Sequence, residues 1–400
     1  VNLLRNRNLL AVVSGHFMVD ALNSVGAIVL TFLSVPLGLS NQQIGTLLTI
    51  YLLAGALSQP LFGWLSDRTG NRQVLLAAIG VGWMAFFYGV IALATSQSLL
   101  FTAFMLAALG SGLFHPVGTA AAAAAEPDRA ATATSLYFFG GQIGLAVGPV
   151  LTGLLMGRLG VAGVLVVALL AIFPVLQLLA ASKRISATVH KGTAESSPSM
   201  RLSAGRLLIA AFITLVIVRS SMQQIFSSFL PKLFSDRGWD PELYGAVVSV
   251  FMATAAVGNI ITGSIADRYS MRHATVWPLL ASVPVSLLVL TLEPVWAVFA
   301  AAALGGVLVG GQHSVLIVHA QRLLPVREGF AAGLILGFIF ATGAIGTWLG
   351  GVLADSFGLQ PVMMAATLLG IPAAALAWTL PGRQPAVIRP AAEVQPAAGD

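Results

Sequence analysis

The chain has 400 residues, of which 57% are hydrophobic and only 8% charged, and a mean hydropathy of +0.91, a composition that excludes an ordinary water-soluble domain. It has no cysteine, which excludes disulfides, thiolate nucleophiles and cysteine-ligated metals. The formal net charge of +6 does not point to nucleic acid, because the basic residues alternate from loop to loop along the chain.

A bilayer core of about 30 Å needs about 20 helical residues per crossing. Apolar windows of that length recur near 9–33, 43–65, 72–94, 97–120, 131–156, 160–181, 206–231, 241–265, 273–291, 294–319, 328–354 and 358–379. Their short connections favour helices over the roughly ten-residue alternating strands of a barrel. The expected fold is an all-α membrane protein with twelve transmembrane helices.

The first window contains "GHFMVDALNS" (15–24), which puts His16 and Asp20 one helical turn apart, with Asn23 or Ser24 one turn further on. It is too long for a signal-peptide core and is read as retained. A charge near the bilayer centre costs at least about 2.5 kcal/mol on insertion scales, so Asp20 must face a cavity or find a partner. Such a carboxylate can gain and lose a proton, and Asp20 with His16 is the candidate proton-coupling pair.

Between windows 2 and 3 lies "GWLSDRTGNR" (63–72). Gly63 is expected to let helices approach, Asp67 to cap or pair with a neighbouring helix end, and Arg68 and Arg72 to stay at the lipid surface. The segment reads as a state-dependent latch. Window 4 carries "GSGLFHP", where Pro116 is expected to break the helix just after His115 and free backbone groups. Window 5 reads "GGQIGLAVGPVLTG" (140–153), in which Gly140, Gly144 and Gly148 allow close backbone packing and Pro149 favours a kink. Gln142 is a polar lining candidate, while Tyr137, Phe138 and Phe139 read mainly as lipid-facing.

The longest hydrophilic interval, taken as a cytoplasmic linker over 182–205, divides the helices six and six. The domains are then 1–181, the linker, 206–380 and a disordered cytoplasmic tail over 381–400. The halves repeat. Gly63, Asp67, Arg68 and Arg72 answer Gly263, Asp267, Arg268 and Arg272 at a shift of 200, and His115, Pro127, Arg129 and Gly148 answer His313, Pro325, Arg327 and Gly346 at 198. Asp267 and Arg268 therefore join the candidate gating set.

In window 7, Arg219 answers Asp20 at a shift of 199, with Gln223 and Ser227 following on its face. Pseudo-twofold symmetry would place Asp20 and Arg219 on opposite sides of one central cavity. Arg219 and Gln223 are the candidate receivers of a polar or anionic substrate group, with Asn23, His115, His313 and Gln142 as further binding candidates. No carboxylate or thiolate travels with His115 and His313 at ligand spacing, so no metal site is expected. Gln59 and Asn259 read as helix-joining groups.

Of the 20 Lys and Arg, 16 fall in the amino-terminal segment, the tail and every second loop, and Arg158, Lys232 and Arg237 fall in the alternate loops. That asymmetry puts both termini in the cytoplasm.

The loop motif and its second copy resemble those of the major facilitator superfamily, whose repeat architecture is two pseudo-symmetric six-helix bundles that rock about a midplane site. The window 5 glycines are similar to the motif of antiporters in that superfamily, with Thr152 in place of one closing glycine. "HFMVD", "GSGLFHP" and the stretch 320–355 resemble its fosmidomycin-resistance branch, a group associated with drug efflux. Where that branch has an acid and an arginine after "FHP", this chain has Val117 and Ala120.

The resemblance implies a proton-coupled antiporter that exports a small organic molecule across a bacterial-type inner membrane, as a monomer. It implies no cofactor beyond the coupling proton and no partner beyond substrate and bilayer, with nucleic acid excluded. No Walker loop or clustered carboxylates suggest an enzyme. An importer or facilitator of a metabolite such as an organic acid, and a membrane sensor that transports nothing, remain as alternatives.

Overall fold

A computed structural model describes residues 5–69, 72–185, 205–323 and 328–382. The expected linker and tail, apart from their first few residues, lie outside the described residues. Among the described residues twelve helices are long and apolar enough to cross a membrane: spans 1 to 6 are Arg7–Ser34, Asn41–Arg68, Gln73–Ala92, Gln97–Ala125, Thr132–Leu159 and Ala162–Lys183. Spans 7 to 12 are Arg206–Asp236, Pro241–Arg268, Met271–Thr291, Val295–Gln321, Leu334–Phe357 and Leu359–Trp378.

Several helices run a few residues past the apolar windows because polar residues cap them outside the apolar stretch. Asn6 accepts from the Asn8 and Leu9 amides at span 1, and Ser40 with Gln43 forms a capping box at span 2. Proline positions the internal breaks. Span 6 is interrupted after Leu170 and span 12 after Leu368, each four residues before a proline (Pro174, Pro372) whose ring meets that carbonyl. Span 10 breaks at Gly311.

The expected break at Pro116 does not occur, and span 4 runs unbroken from Gln97 to Ala125. The carbonyl that loses its donor to Pro116 is that of Gly112, which adds no side chain to the crowded turn, and the His115 carbonyl next to the proline accepts from the hydroxyls of Thr119 (2.8 Å) and Tyr137 (3.4 Å). Pro149 is likewise inside a continuous helix. The Val150 amide just after it donates to Ser249 Oγ of span 8 at 2.8 Å.

Spans 1–6 and 7–12 form two bundles, which meet through spans 2 and 11 and through spans 5 and 8. The named contacts between them gather at the end opposite the termini. Asp355 Oδ1 and Oδ2 accept from the Asn41 and Gln42 amides at 2.8 and 3.0 Å, so a residue of span 11 caps span 2. Two or more turns deeper, Thr49 Oγ1 donates to the Ala344 carbonyl at 2.6 Å. At the other end, Trp64, Arg68 and Tyr269 are exposed.

Loss of the Asp355 cap should loosen that junction, since a side-chain cap is worth about 1 kcal/mol. The cysteine-free chain supplies the assay: Thr49→Cys should react several-fold faster with a membrane-impermeant maleimide added from the joined side when Asp355→Ala is also present. Equal rates would mean that the cap does not hold the halves together.

Candidate functional site

Spans 1, 4 and 5 bring together a polar cluster inside the first bundle. Its centre is Asp20, 8% exposed, on span 1. His16 Nε2 lies 3.2 Å from Asp20 Oδ2, and His115 Nε2, from span 4, lies 3.4 Å from Oδ1. Asn23 Nδ2 donates to Asp20 Oδ1 at 3.0 Å and contacts Ser111 Oγ at 3.1 Å, while Asn23 Oδ1 accepts from the Tyr51 hydroxyl at 2.7 Å. Helical periodicity sets His16, Asp20 and Asn23 on one face of span 1, and Ser111 and His115 on one face of span 4.

Backbone carbonyls orient both rings. His16 Nδ1 is 2.8 Å from the Tyr137 carbonyl and His115 Nδ1 is 2.8 Å from the Ser111 carbonyl. A carbonyl only accepts, so Nδ1 carries the hydrogen in each ring and Nε2 is the atom turned toward Asp20. With one proton per ring, Nε2 presents a lone pair to the carboxylate. With two, each ring is an imidazolium that donates to it. The cluster thus turns both Nε2 atoms on the Asp20 carboxylate.

Span 5 supplies the wall. Tyr137 stacks on His16 with ring centroids 3.9 Å apart, and a Cβ on Gly141 would lie 2.5 Å from Asp20 Oδ2 and 2.7 Å from His16 Nε2. Gly144 and Gly148 bring the two helices close: a Cβ on Gly144 would lie 2.1 Å from the Phe17 carbonyl oxygen and one on Gly148 2.4 Å from that of Ala21. Tyr137 is therefore buried against the cluster rather than turned to lipid, although Phe138 and Phe139 are exposed.

Arg219 occupies the equivalent place in the second bundle and is 1% exposed. It turns to span 10: its Nε donates to Gln312 Oε1 at 3.2 Å and its NH2 to the Val309 carbonyl at 2.9 Å. NH1 has no hydrogen-bond partner among the described residues. No ion pair joins Asp20 to Arg219 among the described residues; the hydrogen-bond partners of each lie within its own bundle.

Of the remaining expected residues, Gln223 is half-buried, Gln142 is exposed, and the His313 side chain lies outside the described residues. Asn259 Oδ1 accepts from Ser314 Oγ at 2.9 Å, joining spans 8 and 10. Asp67, Arg72, Asp267 and Arg268 are exposed; Arg68 lies over the Trp64 ring at 3.8 Å, and Arg268 lines a surface cleft with Tyr269 and Arg272. Among the described residues Asp67 makes no ion pair, so the expected latch is unmade here. A Cβ on Gly63 would meet Pro116 Cβ at 3.7 Å, an ordinary contact, so close approach there is not what this conformation uses.

The absence of a carboxylate beside His115 is corrected by the fold, since Asp20 arrives from another span. Ser111, Tyr51, Tyr137 and Gly141 carry weak signals in the sequence: Ser111 precedes His115 by one turn and Gly141 sits beside the packing glycines, but nothing marks the two tyrosines.

A family model described as Major Facilitator Superfamily matches residues 12–223 and 212–398. An MFS-type transporter of Bacillus subtilis, YfnC, is 29% identical over 92% of this chain and 91% of its own. The fosmidomycin resistance protein of Escherichia coli is 26% identical over 88% and 87%. Among solved structures, a bacterial homologue of the human lysosomal transporter Spinster, inward-facing and occupied, superimposes with a TM-score of 0.74 at 16% identity, covering 92% of this chain and 95% of that one.

Packing at Gly141 should be decisive for the cluster. Gly141→Ala is expected to lower the unfolding temperature in detergent by at least about 3 °C, because a methyl there displaces Asp20 or His16. Gly337→Ala, at a helical glycine with nothing within 4 Å of the added carbon, should leave it unchanged or slightly raised. Equal melting of the two variants would contradict the packing described.

Proposed function

The chain belongs to the major facilitator superfamily of secondary transporters, and from that premise we propose that it is a proton-coupled antiporter exporting a small organic molecule by alternating access. The observation that carries the reading is the convergence of two histidine Nε2 atoms on the buried Asp20 carboxylate. A group with this surrounding exchanges protons when one side of the membrane gains access to it, and His16 and His115 share the charge.

Arg219 supports the binding half of the reading. It is a buried cation whose NH1 has no partner among the described residues, and an anionic or polar substrate group would complete it. Export follows the window 5 glycine motif and the similarity to a protein named for fosmidomycin resistance. The loop charges support a bacterial-type inner membrane with both termini cytoplasmic. In that orientation the joined end faces outward and the exposed loop motifs face the cytoplasm. Asp67, Asp267 and their arginines would close that side in the opposite state.

The test uses proteoliposomes under an imposed pH gradient, with fosmidomycin as the first probe and flux followed in both directions. Asp20→Asn should abolish gradient-driven flux while the protein remains folded and monodisperse. Arg219→Gln should raise KM about tenfold or more. Because no ion pair joins the two residues, the double variant should not regain transport. Gradient-driven flux by Asp20→Asn, alone or with Arg219→Gln, would sink the proton-carrier reading.

A further inference from the structure

We propose that His16, Asp20 and His115 form a binding site for one divalent transition-metal cation of the zinc class, which competes with two protons. The donor atoms of the three side chains all lie within 4.8 Å of one another, two imidazole nitrogens and a carboxylate oxygen. Nothing in the transport reading requires this. The inference rests on the geometry of the cluster alone.

Three features point to a cation rather than to hydrogen bonding alone. The Nε2 to carboxylate distances, 3.2 and 3.4 Å, exceed the about 2.7 to 2.9 Å of a charge-assisted N–H···O bond. Each Nε2 faces a different oxygen of Asp20, so a cation would be shared by both oxygens or taken by one after a small rotation of the carboxylate; ligands held tetrahedrally at zinc distances of about 2.0 to 2.1 Å sit about 3.3 Å apart, close to both separations. Both rings donate Nδ1–H to a backbone carbonyl, the outer-shell bond that fixes a metal-ligating histidine with its Nε2 lone pair forward. Finally, His16 is closed off with its side chain 3% exposed, whereas the His115 side chain is 25% exposed, which leaves a route of entry and a fourth position for water or substrate.

The charge balance explains why protons and metal would compete. With both rings doubly protonated and Asp20 ionised, the cluster carries one net positive charge. When a divalent cation enters, both Nε2 protons leave to solvent, the rings become neutral and the net charge is again one positive. Exchange of one metal ion for two protons therefore leaves the site's charge unchanged. The other titratable groups near the cluster are phenols: Tyr137 of span 5 on the His16 ring, Tyr51 of span 2 through Asn23, and Tyr88 of span 3 bonded to the Leu22 carbonyl. Among the described residues no lysine, arginine or second carboxylate forms an ion pair with it.

The experiment titrates Zn2+ into the full chain in detergent by calorimetry, with Co2+ absorption as a report on coordination. One equivalent should bind at pH 7.5, and Co2+ should give the intense visible bands of a tetrahedral site. Affinity should fall by up to about 100-fold for each pH unit of acidification, because two protons compete for the Nε2 atoms. His115→Gln, at the more accessible ring, should weaken binding at least tenfold in protein that remains monodisperse on size exclusion, and His16→Gln should do the same. His273→Gln, outside the cluster and exposed, should have no effect. Absence of saturable binding by wild type at about 100 µM Zn2+ would overturn the site, as would binding that survives His115→Gln, follows His273, or ignores pH. A chain without metal binding whose pH-driven flux still needs Asp20 would lose this inference alone. Metal binding without pH-driven flux would instead remove the transport reading and leave the site.

Discussion

An ionised carboxylate inside an apolar bundle has to be compensated where it sits, and the placement of Asp20 governs much of what surrounds it. Breaking a buried pair by removing one partner typically costs about 3 to 5 kcal/mol. The first bundle avoids that loss with two imidazoles, one amide and the close wall of span 5. The glycines belong to the same constraint. Gly144 and Gly148 set the separation of spans 1 and 5, and at that separation Gly141 is the residue that leaves room for the Asp20 and His16 side chains. Without close approach, the Tyr137 carbonyl would not reach the His16 ring.

The second bundle meets the same constraint with the opposite sign. Arg219 takes the position of Asp20 and looks to span 10 as Asp20 looks to span 4. Its partners are neutral, a carbonyl and an amide oxygen, which solvate a cation without neutralising it. The pseudo-symmetry of the sequence is therefore a symmetry of position and of direction, and not of charge. Because each charge is held within its own bundle, one bundle can rock against the other without separating a buried ion pair, and the relative motion is freed from a penalty of several kcal/mol.

The twelve spans, the repeat and the glycine face were legible because each is a local pattern: apolar length, a fixed offset, a four-residue spacing. The cluster was legible only in part. His16, Asp20 and Asn23 share one helix face and could be grouped by spacing, but His115 lies 95 residues further along, and only packing of span 4 against span 1 brings it to Asp20. Symmetry suggested a relation between Asp20 and Arg219 across the bundles, but nothing in the sequence could show that helices of the same bundle satisfy each charge first. Pro116 misled for a similar reason. The carbonyl deprived of its donor belongs to Gly112, whose missing side chain leaves the turn room for the ring, and the hydroxyls of Thr119 and Tyr137, from two different spans, add hydrogen bonds to the His115 carbonyl beside the proline.

The junction between the bundles is made of a different chemistry from their interiors, and this difference bears on how the molecule changes state. Asp355 accepts from two backbone amides at the start of span 2, Thr49 donates to a carbonyl of span 11, and Ser249 accepts from the amide that follows Pro149. Each is a hydrogen bond between a side chain and the backbone, worth about 1 kcal/mol net, and water can replace it when the bundles part. The loop motifs at the other end carry exposed charges that can pair and part on the same scale. The buried groups keep their partners while small, replaceable contacts at the two ends decide which side is closed, so a proton or substrate that biases the centre by 2 or 3 kcal/mol is enough to shift the balance between states.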